Sequence, residues 1–136
     1  MEIKPFVPNH LHLIIRGFMN YPPTTEETIN SFLLELVERV RMKILYGPHS
    51  VYCNDLGNEG VTGTVTLSTS HASIHVWDHV KPALFQFDLY SCSEFTSKEV
   101  LELLNERFHI FNTTYIFIDR NKEEFFIKES DFIEKF

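Results

Sequence analysis

Apolar and polar positions along this chain follow two periods, and the places where the period changes mark out the elements. From His10 to Phe18 (HLHLIIRGF) branched apolar residues crowd together until Asn20-Tyr21-Pro22-Pro23, a stretch that cannot continue a sheet ladder. A first strand is expected there. In TTEETINSFLLELVERVRMKI, Ile29, Phe32, Leu33, Leu36, Val37 and Val40 recur at helical spacing, with Thr24 or Thr25 as cap and glutamates in the first turn. TSKEVLELLNERF repeats the device, with Thr96 or Ser97 as cap and Val100, Leu101, Leu103, Leu104 and Phe108 as the apolar stripe.

Between the two helices the period is two. In GVTGTVTLS, Val61, Gly63, Val65 and Leu67 alternate with Thr62, Thr64, Thr66 and Ser68, which reads as a strand with one buried face. In HASIHVW the apolar Ala72, Ile74 and Val76 take even numbers, so the apolar parity has switched from odd to even. A continuous flat strand would put the two sets on opposite faces, so a bend or bulge is expected near Thr69-Ser70. ALFQFDLYSC and NTTYIFID complete the strands, while NKEEFFIKESDFIEKF fits either a strand or a short helix. The order predicts an α+β fold, a two-layer α/β sandwich with a mainly antiparallel sheet and two main helices on one face. The opposite face needs another cover. With 13 Phe, 5 Tyr and Trp77 in the chain, a homodimer that buries that face is expected.

Composition narrows the function. A chain of 136 residues with 43% hydrophobic content supports one core, so residues 1–136 are expected to form a single domain. The formal charge of −7 gives no reason to approach nucleic acid or an anionic membrane. The N-terminal MEIKPFVPNH does not read as a leader, and no segment approaches a membrane span, so a soluble, cytoplasmic protein is expected. Cys53 and Cys92 are too few for a disulfide framework and are expected as thiols. His71, His75 and His79 are spaced four apart, but no carboxylate or thiol stands at matching ligand spacing, so no metal is expected.

The segment GVTGTVTLSTSHASIHVW, followed by FDLYSC, resembles the processing region of the short bacterial and archaeal S-adenosylmethionine decarboxylase proenzymes. In that family a Gly-Val-Ser-Gly strand leads to Glu-Ser-His, then Ser-Ile-His and Trp, and some fifteen residues later a Cys ending a strand. The counterparts here are GVTG, Thr69-Ser70-His71, Ser73-Ile74-His75, Trp77 and Cys92.

The resemblance implies a pyruvoyl-dependent carboxy-lyase that matures by cutting itself between Thr69 and Ser70 into 1–69 and 70–136. The Ser70 hydroxyl would attack the Thr69 carbonyl to give an ester. Elimination and hydrolysis would then leave a pyruvoyl group at position 70. His75 would assist removal of the alpha proton, and Thr62, where relatives carry serine, would hydrogen-bond the processing intermediate. The keto group would hold the substrate amine as a Schiff base and act as electron sink, with Cys92 returning the proton. Trp77, Asp78 and Leu56 are the implied substrate contacts. The product would be decarboxylated S-adenosylmethionine for spermidine synthesis. Relatives carry Trp-Pro-Glu where this chain has Trp77-Asp78-His79, which keeps open arginine or ornithine as substrate. An unprocessed homologue that binds a nucleoside or pairs with an active decarboxylase is the remaining alternative.

Overall fold

The computed structural model describes residues 8–68 and 70–136, and its sheet is closed chiefly by strands whose alternation is visible in the sequence. The elements in chain order are β1 (Leu11–Met19), α1 (Glu26–Arg39), β2 (Ile44–Cys53), β3 (Gly60–Leu67), β4 (Ser70–Trp77), β5 (Ala83–Ser91), α2 (Ser97–Phe108), β6 (Ile110–Asp119) and β7 (Phe126–Lys135). They form a seven-stranded sheet in the order β2-β3-β4-β5-β1-β6-β7, antiparallel at every pairing.

Two crossovers build the helical layer. β1 and β2 run in one direction and are joined through α1, whereas β5 and β6 run in the other and are joined through α2. The crossovers also leave toward opposite edges of the sheet. A single crossover hand therefore places both helices on the same face. There α1 and α2 touch, and Phe32 of α1 packs its ring 5.2 Å from Phe108 of α2 and 6.3 Å from Phe87 of β5. The same face takes Leu13, Ile15, Val65, Ile74 and Leu89 into one core, and burying each such side chain contributes about 1.5–3 kcal/mol. Helix and sheet meet most closely at Gly63, where a Cβ would run into Ile29 and Leu33 of α1 and the Ser50 hydroxyl.

Local chemistry starts both helices where the sequence indicates. Thr25 caps α1 by accepting from the Thr28 N–H at 3.2 Å. Thr96 and Glu99 make a reciprocal capping box on α2.

The structure overturns one expectation, adds one strand and decides one open choice. The parity switch near residue 70 is a full reversal rather than a bend or bulge: Leu67 pairs with Ser70, so β3 and β4 form a hairpin. In such a hairpin odd positions face even ones, so both apolar sets reach the same core without distortion. β2 goes unseen in the sequence because Gly47-Pro48 and two register shifts break its alternation, which an edge strand tolerates. The C-terminal segment resolves to a strand, β7, on the opposite edge.

Candidate active site

The β3–β4 hairpin brings its closing turn to the same end of the sheet as the C-terminus of β5, because β4 and β5 pair from His71↔Tyr90 onward. Ser70 and Cys92 thereby line one cavity of about 280 Å³, together with Ser68, Ser93 and the Arg41-Met42-Lys43 link between α1 and β2. Ser70 is 9% exposed and Cys92 6% exposed, so both are held inside this cavity rather than on the surface.

Hydrogen bonds fix the surroundings. The Ser68 N–H donates to the Lys43 carbonyl at 2.9 Å, tying the hairpin turn to the α1–β2 link. The Cys92 thiol donates to the Ser68 carbonyl at 3.8 Å, and the Cys92 carbonyl accepts from the Asn9 N–H at 2.8 Å. Arg41 follows α1 with φ 61 and donates to Glu99 at 2.7 Å. That hydrogen bond is the main reason the Glu99 carboxyl titrates below the usual carboxylate range. Thr69 lies outside the described residues. Cys53 and Cys92 are both thiols.

Thr62 and His75 meet each other but not this cavity. They face one another across the β3–β4 ladder, Thr62 Oγ1 lying 3.0 Å from His75 Nδ1. Both point to the sheet face opposite the helices, and the pair stands five residue steps from Leu67↔Ser70. At about 3.4 Å per step that is roughly 17 Å, beyond the reach of any side chain. Trp77, Asp78 and Leu56 are farther still, at the opposite end of the sheet. There Trp77 Nε1 donates to Asn58 at 2.7 Å, and Leu56 is fully exposed. The Tyr52 hydroxyl donates to Asp78 at 2.9 Å, and this bond, with burial and the carboxylate's charge, raises the Tyr52 pKa. Asp78 also lines a larger cavity of about 640 Å³ with Tyr21, Val80 and Lys81. Neither Ser70 nor Cys92 lines that cavity.

Asp88, His12, Tyr90 and Arg120, which the sequence did not single out, join His71 and Ser73 in a polar cluster on the open face near the Ser70 end. Asp88 accepts from His12 Nε2 at 2.9 Å and from the Ser73 hydroxyl at 2.5 Å, and His71 Nε2 lies 3.5 Å away. Arg120 donates to His12 Nδ1 at 3.3 Å and sits 4.6 Å over the Tyr90 ring. Burial alone would raise the Asp88 pKa, but the hydrogen bonds from His12 and Ser73 outweigh it and hold the carboxyl below its ordinary value. The signal was present in the polar parity of β1 and β5, where His12, Asp88 and Tyr90 alternate with core residues. Among the described residues no group of three His, Cys, Asp or Glu side chains is arranged to hold a metal ion. No helix among them is long and apolar enough to cross a membrane.

Comparison with known proteins identifies the family. The family model described as S-adenosylmethionine decarboxylase matches residues 18–121, from the end of β1 to just past β6. An S-adenosylmethionine decarboxylase proenzyme of Archaeoglobus fulgidus is 31% identical over 97 residues, covering 70% of this chain and 80% of the relative. Both matches span the β3–β4 hairpin and Cys92 or the elements around them, and they extend over most of the fold. The chain therefore belongs to the S-adenosylmethionine decarboxylase family.

Proposed function

We propose that this chain is the precursor of a pyruvoyl-dependent S-adenosylmethionine decarboxylase that cuts itself between Thr69 and Ser70. The observation that carries the reading is the shared cavity of Ser70 and Cys92, a buried hydroxyl and a buried thiol brought together from β4 and the end of β5. Ser70 is the first residue after the hairpin turn, so its hydroxyl attacks the carbonyl of the preceding residue without crossing any other element. The cut leaves 1–69 and 70–136, with the pyruvoyl group on residue 70. A small buried side chain facing a cavity fits a group of that size. When formed, the group supplies an electron sink for loss of carbon dioxide from an amino acid. The Cys92 thiol, with an unperturbed pKa of about 8.5 for its residue type, is suited to donate and recover a proton. Asp78 lies beyond His75 from residue 70, so it receives the substrate's nucleoside only from a second copy, and the product, decarboxylated S-adenosylmethionine, feeds spermidine synthesis.

The roughly 17 Å between the Thr62–His75 pair and Ser70 gives the reading a second requirement. The pair serves maturation only in a neighbouring site, so a second copy lies against the open sheet face and supplies it. This makes the working unit a homodimer with twofold symmetry.

Intact mass measurement tests the proposal. The freshly made chain of 16.0 kDa is expected to resolve into two pieces of nearly equal size, the second reactive with borohydride, while Ser70→Ala stays whole and releases no carbon dioxide. A chain that remains whole yet decarboxylates S-adenosylmethionine would refute self-processing. Turnover of arginine or ornithine in its place would move the substrate and leave the maturation step standing.

A further inference from the structure

We propose that Asp88 is a positioning residue that anchors the end of β4 carrying residue 70, acting through His71. The inference rests on the self-cleavage reading above and adds a residue to that site. In the intact chain the start of β4 is held covalently, because the turn joins it to β3. Cleavage ahead of Ser70 turns this point into a chain terminus in the interior of the sheet, and termini fray unless something ties them down. The ladder is one-sided there. β4 pairs with β5 only from His71↔Tyr90 onward, so residue 70 has a partner on β3 alone. A reacting group must be held to within about 0.5 Å to stay productive, which a frayed end does not achieve.

His71 supplies the tie. Its side chain lies on the open face, with Nε2 3.5 Å from Asp88 Oδ2 and the ring 5.8 Å from that of Tyr90. Asp88 also accepts from Ser73, the next residue of β4 on that face, so one carboxylate on β5 holds β4 at two points. The carboxylate is itself prevented from turning away. His12 of β1 donates to it from Nε2 at 2.9 Å. Arg120 fixes that ring's tautomer: a guanidinium only donates, so the His12 Nδ1 it contacts at 3.3 Å must be the unprotonated nitrogen, leaving the hydrogen on Nε2 toward Asp88. His12 of β1 and Arg120, the residue after β6, thus brace Asp88 before it meets His71. In the precursor the brace duplicates the covalent link, and its contribution becomes decisive once that link is cut.

The test uses Asp88→Asn and His71→Gln in the full chain, each also made in a Ser70→Ala background that cannot be cut. Both variants are expected to cleave into two pieces. Once cut, their kcat should fall about tenfold with KM nearly unchanged, the scale expected on removing one polar contact to a charged group. Hydrogen exchange at amides 71–75 should quicken by about tenfold in the cut variants and hardly at all in the uncut Ser70→Ala partners. Should Asp88→Asn fail to fold, His71→Gln carries the same expectation. Cut variants with wild-type kcat and protection overturn the proposal. So does protection lost equally in cut and uncut forms, which would mark Asp88 as part of the general scaffold. A wild-type chain that never cleaves overturns the proposed function and this anchor together.

Discussion

Mixing two dead variants should restore cleavage. On the proposed mechanism His75→Ala removes the imidazole that assists maturation and Ser70→Ala removes the nucleophile, so each alone is expected to remain whole. Proton transfer needs heavy atoms within about 2.6–3.2 Å, and His75 is roughly 17 Å from the Ser70 of its own chain, so the shortfall is about 14 Å. No rotamer change closes that gap. In a twofold dimer containing one chain of each kind, the His75→Ala chain keeps its Ser70 and receives His75 from its partner. The other site has no nucleophile at all. Equal co-expression gives mixed dimers as about half of all dimers, so about half of the His75→Ala chains and roughly a quarter of all chains should be cut. Differently tagged chains read by gel densitometry give both fractions directly. If mixed dimers form but contain no cut chain, or if His75→Ala alone is cut at the wild-type rate, the two-copy site is wrong.

Three further outcomes follow from the contacts. Cys92→Ser should still cleave but lose about 10²–10⁴-fold in carbon dioxide release, because general acid catalysis contributes on that scale and an alcohol is a far weaker acid than a thiol; single-turnover assays of the cut protein check this. Gly63→Val should lower stability by about 1–3 kcal/mol in urea unfolding, since the new side chain enters the contact between β3 and α1. Asp88 has a depressed pKa in the folded state, so its stabilising contribution is present above the ordinary carboxylate pKa of about 3.9 and fades as pH falls through the lower folded value. The Tm gap between wild type and Asp88→Asn should accordingly be largest near neutrality and close below pH about 4; a gap that widens with acid would contradict the carboxylate's assigned partners.

The fold was legible wherever one residue in two or one in three to four had to be apolar. α1, α2 and the strands from β3 to β6 announce themselves that way, and Thr25 and Thr96 cap the helices the sequence assigns to them. β2 was not legible because an edge strand needs neither an unbroken ladder nor a buried face, and it carries Gly47-Pro48 in its middle. The site was legible as a set of residue types but not as a place. Ser70 and Cys92 meet, whereas His75 and Thr62 share the motif and lie elsewhere, because neighbours in sequence on a strand are spread along its length. The Asp88 cluster depends on register between three strands, and register is a property of the pairing, which no single strand's sequence displays.

Strand order has a consequence for what a backbone break can do here. The piece ending at residue 69 owns β1, β2 and β3, and the remainder owns β4 to β7, yet β1 is inserted between β5 and β6. Three ladders, β3 with β4, β5 with β1 and β1 with β6, join the halves along whole strands. Neither half could assemble its share of the interior without the other, so the proposed scission would have to come after assembly. By the same interleaving, halves severed there would stay locked together without a covalent bond between them.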